Sequence, residues 1–175
     1  MRSLTLALAT MALLVVLPSE AWGQFKIGPY LAYHDDADLG IGGFVNSPLE
    51  DIEENLSAAA DFGWFFPDDG GMNEFDVDYW ELNGNLLYRF PLETTTLVPW
   101  ALGGINIAHG SVARDHGEFG EYSGNDTEIG LNLGGGVTFG TGPMAPFAGV
   151  KFELSGGEGA VIFGGLSFTV GGETN

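Results

Sequence analysis

The two residues with the clearest catalytic potential are His109 and Ser111, which lie two positions apart. An imidazole that reaches a serine hydroxyl can take its proton and make it a nucleophile, provided that an acid orients the imidazole. Glu118 and Glu121 follow as candidate orienting acids. The segment HGSVARD shows no further hydrolase pattern, and a histidine at the start of a loop is usually only solvated. We therefore predict no catalytic residues and keep a hydrolase as an alternative.

Two other patterns could bind ligands, and neither has the required spacing. His109, Asp115 and His116 offer ligands for a transition metal, but the chain has no cysteine and these residues are not tightly spaced. The segment GGGVTFGTG matches a phosphate-binding loop only in its glycine content. No Lys-Ser/Thr follows it, and Pro143 and Pro146 block the helix whose N-terminus would bind the phosphate. We predict no metal centre and no cofactor.

Acidic side chains dominate the polar residues, and the chain has a formal net charge of −19. So acidic a chain is not expected to bind nucleic acid, which requires Lys and Arg against the phosphates. Several acids are clustered: Asp35, Asp36, Asp38, Asp68, Asp69, Asp76 and Asp78. Carboxylate oxygens suit Ca²⁺ or Mg²⁺, but no cluster has the ligand order of a calcium loop. We interpret them as a solvated acidic rim that could hold divalent cations.

The first 23 residues have the layout of a secretory signal peptide. Arg2 is followed by an apolar run from Leu4 to Leu17 and by small residues at Ala21 and Gly23. The run is shorter than the roughly 20 residues that a membrane-spanning helix requires. We predict cleavage after Gly23, which leaves one domain, residues 24–175, with 23 acids and four bases.

The whole chain is apolar enough to fold, at 45% hydrophobic and 13% aromatic residues, and after residue 24 it alternates with a period of two. One face carries apolar side chains and the other polar side chains or glycine, with turn residues between the runs. This pattern predicts eight strands: 25–34, 39–46, 55–66, 77–90, 97–109, 128–140, 146–154 and 160–170. Their lengths suit strands that cross a membrane at a tilt.

The connections are predicted to alternate in length. The first, third, fifth and seventh are HDDAD, PDDGGMNEFD, HGSVARDHGEFGEYSGND and SGGEG, and the others are SPLED, PLETTT and GTGPMA. Short turns at one end and longer polar loops at the other are typical of outer-membrane barrels. An even strand number would place both termini on the short-turn, periplasmic side.

The charges on the polar face decide which face we expect to be inside. A soluble barrel or sandwich would bury the apolar face, whereas a membrane barrel would expose it to lipid. An acidic soluble chain should also scatter its few bases over loops, but here bases and acids share the polar face. We predict that they pair in a narrow lumen, where an unpaired charge is costly. These residues are Lys26, Asp61, Glu81, Arg89, Glu128, Lys151 and Glu153.

Aromatic residues fall near both ends of the apolar face. Trp64, Phe66 and Trp80 are expected near the long loops. Phe25, Phe90 and Trp100 are expected near the short turns. Two such bands form the aromatic girdles of membrane barrels, so these six residues are candidate girdle residues.

The order of these segments resembles the small outer-membrane β-barrel domain family of porin-like and opacity-type surface proteins. The resemblance is carried by DFGWFFPDDGG, ELNGNLLYRF, LVPWALGGINI, GLNLGGGVTFG and PFAGVKFEL. It implies an all-β, eight-stranded antiparallel up-and-down barrel in the outer membrane of a Gram-negative-type bacterium, mostly without enzymatic activity. Members often end on an aromatic residue, whereas TVGGETN follows Phe168 here.

The sequence therefore predicts a non-enzymatic integral outer-membrane protein with a filled, charged lumen and acidic surface loops. Its expected partners are membrane lipid and lipopolysaccharide, with divalent cations at the acidic loops, and it is expected to be a monomer. One alternative is a narrow channel for small or hydrophobic solutes. Another is a lipid A-modifying hydrolase, because lipid A deacylases resemble this chain in placing a His and a Ser two apart. A soluble periplasmic binding barrel is a third.

Overall fold

The computed structural model describes residues 24–67, 75–92, 96–115, 121–154 and 159–171. Its eight strands are β1 (Phe25–His34), β2 (Asp38–Pro48), β3 (Leu56–Phe66), β4 (Phe75–Arg89), β5 (Leu97–Asp115), β6 (Glu121–Phe139), β7 (Met144–Leu154) and β8 (Gly159–Val170). Each strand pairs antiparallel with the next, and β8 pairs with β1 to close the sheet. The predicted eight-stranded up-and-down barrel is confirmed. The predicted signal peptide, residues 1–23, lies outside the described residues.

The alternation along each strand separates an inner face from an outer face, because successive side chains of a strand point to opposite sides. In β7, Phe152 and Leu154 are exposed, whereas Lys151 and Glu153 are buried. In β4, Leu86 is 51% exposed while its neighbour Asn85 is only 6% exposed. None of the described residues belongs to a helix that is long and apolar enough to cross a membrane.

The inner face carries the buried polar side chains together with aromatic ones such as Phe65 and Trp100, and the outer face is apolar, which is the reverse of a soluble protein. Buried polar side chains include His34, Ser57, Glu81, Asn83, Asn85, Asn106, Asn132, Lys151, Glu153 and Ser167. Exposed apolar side chains include Leu31, Ile41, Leu86, Ile105, Ile129, Leu131, Leu133, Phe152 and Ile162. A soluble barrel would bury the second set, so the soluble periplasmic interpretation is wrong and the outer face is suited to lipid.

The β5–β6 hairpin is longer than the sequence predicts. Residues 109–126 were expected to form a loop, but β5 continues to Asp115 and β6 begins at Glu121. The two strands stay in register from His109↔Thr127 to Asp115↔Glu121. This pairing satisfies the backbone N–H and C=O groups, so a polar, glycine-containing segment remains extended without an apolar face.

The predicted contrast between long and short connections is also wrong. The terminal end of the barrel, where Phe25 meets Val170, carries the connections 49–55, 90–96 and 140–143. The opposite end, called the far end below, carries the connections 35–37, 67–74, 116–120 and 155–158. As a group, these are not longer than the connections at the terminal end. The two ends differ instead because β4, β5 and β6 continue past their neighbours, with Phe75 paired to Arg114.

The first connection at the terminal end is a tight turn around Leu49. The backbone N–H groups of Ile52 and Glu53 both donate to the Leu49 carbonyl, at 2.8 and 3.0 Å. The Leu49 N–H in turn donates to the Leu56 carbonyl at 2.9 Å. The predicted connection SPLED thus contains a turn, but it begins later than expected, because Ser47 and Pro48 are the last two residues of β2.

The inverted arrangement predicts a large effect of charge on the outer face. Replacing Ile105, which is 55% exposed near the middle of β5, by Arg should lower the free energy of unfolding by about 2–4 kcal/mol. The cost arises because the charge would lie in hydrocarbon. Urea-induced unfolding of the protein in lipid vesicles measures it.

Ile52→Arg is the matched control. Ile52 is 72% exposed but lies in the 49–55 connection, outside the strands, so its replacement should change the unfolding free energy little. If Ile105→Arg were as harmless as Ile52→Arg, the outer face would not be in contact with lipid.

Candidate functional site

The candidate site is the polar interior of the barrel, built by inward-facing positions on six strands. Because inward positions recur every second residue, Glu81, Asn83 and Asn85 form a column on β4. Lys151 and Glu153 form a second column on β7. Two inward residues of β1 and one each of β3, β5 and β6 complete the set: Tyr30, His34, Asp61, Asn106 and Asn132.

Four ionisable side chains meet on the far-end side of the interior, and we call them the ion cluster: His34, Glu81, Lys151 and Glu153. Lys151 Nζ lies 3.0 Å from Glu81 Oε2 and 2.7 Å from Glu153 Oε1. All four side chains are buried. One ammonium thus bridges two carboxylates from opposite sides of the lumen, which provides the compensation that buried charges require.

His34 is the fourth member of the ion cluster. The backbone N–H of Asp36 donates to His34 Nδ1 at 2.9 Å, which holds the orientation of the ring. His34 Nε2 lies 3.7 Å from Glu81 Oε1 and 3.9 Å from Glu153 Oε2. These distances allow electrostatic attraction but exceed a hydrogen bond. The sequence placed His34 on the polar face but did not indicate these partners.

His34, Glu81 and Glu153 each offer one ligand atom, and the three atoms lie within 4.8 Å of one another. This spacing could suit a metal ion. Lys151 Nζ already supplies the positive charge between the two carboxylates. A metal ion at this place would have to displace the Lys151 ammonium or lie close to it, where the two positive charges would repel each other. The geometry therefore favours a structural ion cluster over a metal centre.

An amide layer lies next to the ion cluster and comprises Asp61, Asn83, Asn85, Asn106 and Asn132. Asp61 accepts hydrogen bonds from Tyr30 Oη (3.1 Å), Asn83 Nδ2 (2.9 Å) and Asn85 Nδ2 (3.3 Å). Asn132 Nδ2 donates to the side-chain oxygens of Asn83 and Asn85, at 2.8 and 3.1 Å. Asn106 lies opposite Asn83 in the β4–β5 register, and its Nδ2 donates to Glu153 Oε2 of the ion cluster at 2.9 Å. Of the amide layer and Tyr30, only Asp61 was among the predicted site residues.

Three predicted members of the ion-pair network lie elsewhere. Arg89 was expected to pair with Asp61, Glu81 or Glu153, but Asp61 is bonded to neutral groups and both glutamates bind Lys151. Lys26 and Arg89 lie instead towards the terminal end of the interior. Glu128 is exposed near Tyr79 and Asp126, in the part of β6 that extends beyond β7. The described residues provide no ion pair for any of these three side chains.

A cavity of about 120 Å³ occupies the interior, and aromatic rings form much of its wall. Trp100 packs against Phe163 with ring centroids 6.1 Å apart, and Phe163 contacts Phe147 at 6.3 Å. Phe147 in turn contacts Phe44 edge to face at 5.2 Å. Lys26 and Arg89 line the same cavity.

Trp100 is therefore not a girdle residue, and its prediction is wrong. It is buried in the lumen, where Gly136 and Gly149 leave room for its ring. A Cβ at either glycine would lie 2.5 or 2.6 Å from the indole. The alternation along β5 could have shown this orientation. Trp100 is an even number of positions from the inward residue Asn106 and an odd number from the outward residue Ile105.

The other five predicted girdle residues are outward or partly exposed. Trp64, Phe66 and Trp80 lie towards the far end, and Phe25 and Phe90 lie at the terminal end. Phe139 and Phe168 are also exposed near the terminal end and were not predicted. Whether these rings act as membrane girdles is an open prediction.

His109 does not form the serine dyad in this structure. Its Nδ1 lies 2.7 Å from Thr127 Oγ1, and its ring packs on Trp80 with centroids 5.2 Å apart. His109 and Ser111 point to the same side of β5, but residues two apart on a strand are separated by nearly 7 Å of backbone. Glu118, a candidate orienting acid, and His116 of the metal alternative lie outside the described residues.

Comparison with known proteins decides the fold type. The N-terminal β-barrel domain of Pseudomonas aeruginosa OprF has a TM-score of 0.64 at 15% identity, over 85% of this chain and 98% of that chain. Neisserial surface protein A gives 0.57 at 14% identity, over 83% and 95%. Yersinia pestis Ail gives 0.52 at 16% identity, over 85% and 99%. The chain folds as an eight-stranded outer-membrane β-barrel. Its sequence matches no protein-family model and no curated protein.

Replacing the cationic residue of the ion cluster is expected to lower the stability of the barrel strongly. Lys151→Met should lower the free energy of unfolding by about 3–5 kcal/mol, because two buried carboxylates would lose their partner. Adding Glu81→Gln and Glu153→Gln should recover most of this loss. Lys26→Met is the control, since Lys26 has no carboxylate partner among the described residues. Equal losses for Lys151→Met and Lys26→Met in urea unfolding would contradict the cluster's role.

The corrected position of Trp100 predicts its response to lipid. We expect brominated lipids to quench the fluorescence of Trp64 and Trp80 on the outer face, and to leave Trp100 in the lumen nearly unquenched. Barrels that retain one of these three residues, with the other tryptophans including Trp22 replaced by Phe, can be compared in vesicles. Strong quenching of Trp100 would contradict its inward orientation.

Proposed function

We propose that this protein is a non-enzymatic integral outer-membrane protein, closed to solutes, with a structural and surface-presenting role. The observation that carries the proposal is the ion cluster with its adjoining amide layer, whose side chains bond to one another across the lumen. They connect β1, β3, β4, β5, β6 and β7 through side chains alone. Such cross-lumen bonding supports a stabilising rather than a transporting interior.

Physical size supports a closed barrel. Eight strands enclose an interior that side chains roughly fill. A solute path would require Lys151 to leave Glu81 and Glu153, and these carboxylates would then be buried without a cation. Because such a rearrangement is strongly unfavourable, the closed state should dominate.

Surface charge supports a role in interactions at the membrane. The chain carries −19, and exposed acids lie at both ends, with Asp35 and Asp36 at the far end and Glu50, Asp51 and Glu53 at the terminal end. Divalent cations could bridge the far-end acids to lipopolysaccharide phosphates. Ail has been solved with the heparin analogue sucrose octasulfate. We expect this chain to repel such a polyanion.

The alternatives have weaker support. A narrow channel is favoured only by the cavity, which reaches towards the terminal end but meets the ion cluster on the other side. A lipid A hydrolase would need His109 to activate Ser111, whereas its Nδ1 contacts Thr127. Monomeric assembly is part of the proposal, because the sheet closes on itself and each strand pairs with a neighbour on both sides.

Planar bilayer recording tests the closed lumen. The wild-type barrel should give no steady single-channel conductance, because the ion cluster blocks the path. A triple variant, Glu81→Ala with Lys151→Ala and Glu153→Ala, removes the block and should conduct. The control triple variant, Glu50→Ala with Glu53→Ala and Glu54→Ala, changes exposed acids outside the lumen and should stay closed. Large, steady wild-type channels would refute the proposal.

A further inference from the structure

Two positive side chains at the terminal end of the lumen have no counter-ion among the residues that the structure describes. Lys26 is the second residue of β1 and Arg89 is the last residue of β4, and both line the same cavity. Within the described part of the chain, neither side chain forms an ion pair or a side-chain hydrogen bond. They are half-buried and close enough for Arg89 to act electrostatically on Lys26. The interior thus holds two mutually repelling cations in a chain that has a large excess of acids.

Among the described residues, the acids of the cavity wall already have other partners. Asp61 accepts hydrogen bonds from Tyr30, Asn83 and Asn85, and Glu81 pairs with Lys151. The acids of the 49–55 connection at this end are exposed to solvent. Since the described residues supply no counter-ion, an external anion would neutralise two clustered cations in a partly desolvated site.

The rest of the wall is aromatic, which indicates the kind of anion. Phe44, Trp100, Phe147 and Phe163 form a continuous set of ring contacts beside the two cations. An inorganic ion gains little binding free energy from an apolar surface. A ligand with an apolar body gains more, because it removes that body from water against the aromatic rings. A few hydroxyl and amide groups, including Asn46, Ser57 and Ser167, also line the cavity and could orient a polar head.

We propose that the terminal-end pocket, formed by Lys26, Arg89, Phe44, Trp100, Phe147 and Phe163, binds a small organic oxyanion with an aromatic or short alkyl body. The carboxylate or phosphate head contacts Lys26 and Arg89, whose guanidinium fork suits either oxyanion. The apolar body lies on the aromatic wall. The ion cluster closes the pocket on the far-end side, so it is a binding site and not a passage.

This site goes beyond the proposed structural role and does not depend on it. A conducting barrel could hold the same ligand, and a closed barrel could lack it. Bilayer recording can therefore refute the closed lumen without affecting the ligand site, and a binding experiment can refute the ligand site without affecting the closed lumen.

Binding can be followed through Trp100 alone. Replacing Trp22, Trp64 and Trp80 by Phe leaves one tryptophan, which lies in the pocket wall. Titration of the detergent-solubilised barrel with phenylacetate or phenyl phosphate should change its fluorescence saturably. The stronger of the two ligands identifies the preferred head group. Phenethylammonium, which has the same body and opposite charge, should give no saturable change, and acetate should bind at least tenfold more weakly.

Variants of the pocket distinguish the contacts to the ligand's head group from the contacts to its apolar body and from loss of folding. Lys26→Gln and Arg89→Gln should each weaken binding of the better ligand about tenfold, and Phe163→Leu should weaken it while retaining the preference for anions. Lys26→Arg keeps the charge and should bind within a few-fold of the parent. Heat-modifiable gel migration shows that each variant is folded.

A second readout does not depend on the chosen ligand. Because Lys26 and Arg89 repel each other, Lys26→Gln should raise the unfolding midpoint in urea without ligand, and added ligand should stabilise the parent more than this variant. Equal binding of phenylacetate and phenethylammonium, or unchanged binding in the Lys26→Gln, Arg89→Gln double variant, would overturn the proposal.

Discussion

Each strand of this protein separates two environments that demand opposite side chains, and this constraint shapes the whole molecule. Lipid outside requires apolar residues and leaves no water for backbone groups, so the strands must pair on both edges and the sheet must close. The two-residue period of a strand then assigns each position to lipid or to lumen. Leu86 and Asn85 show how sharp the division is, since they are neighbours with opposite exposure.

The narrow lumen imposes a second condition, because every charge that points inward must find a partner across it. Lys151 meets this condition with two carboxylates, and Asp61 meets it with a phenol and two amides. Large side chains require space as well, which Gly136 and Gly149 provide for Trp100. Lys26 and Arg89 stand apart from this pattern within the described residues, and for that reason they are the part of the interior most suited to an external ligand.

The barrel, its strand number and its two faces could be predicted because alternation is local and repeats in every strand. The columns Lys151–Glu153 and Glu81–Asn85 follow directly from it. Pairing across the lumen is not local, so the partner of Arg89 was predicted wrongly and the role of His34 was missed. The hairpin beyond His109 was read as a loop because its backbone pairing, rather than its side chains, keeps it extended. Trp100 was assigned by residue type against the parity of its own strand.

The way the sheet closes also determines the order in which it can assemble. Seven of the eight strand interfaces join neighbours along the chain, and their hairpins need only short connections. The eighth joins β1 to β8, with Phe25 beside Val170, so it closes a loop of nearly the whole domain. Closing so long a loop has the largest entropic cost of any contact in the barrel. The seam between β1 and β8 should therefore be the last interface to form and the first to open.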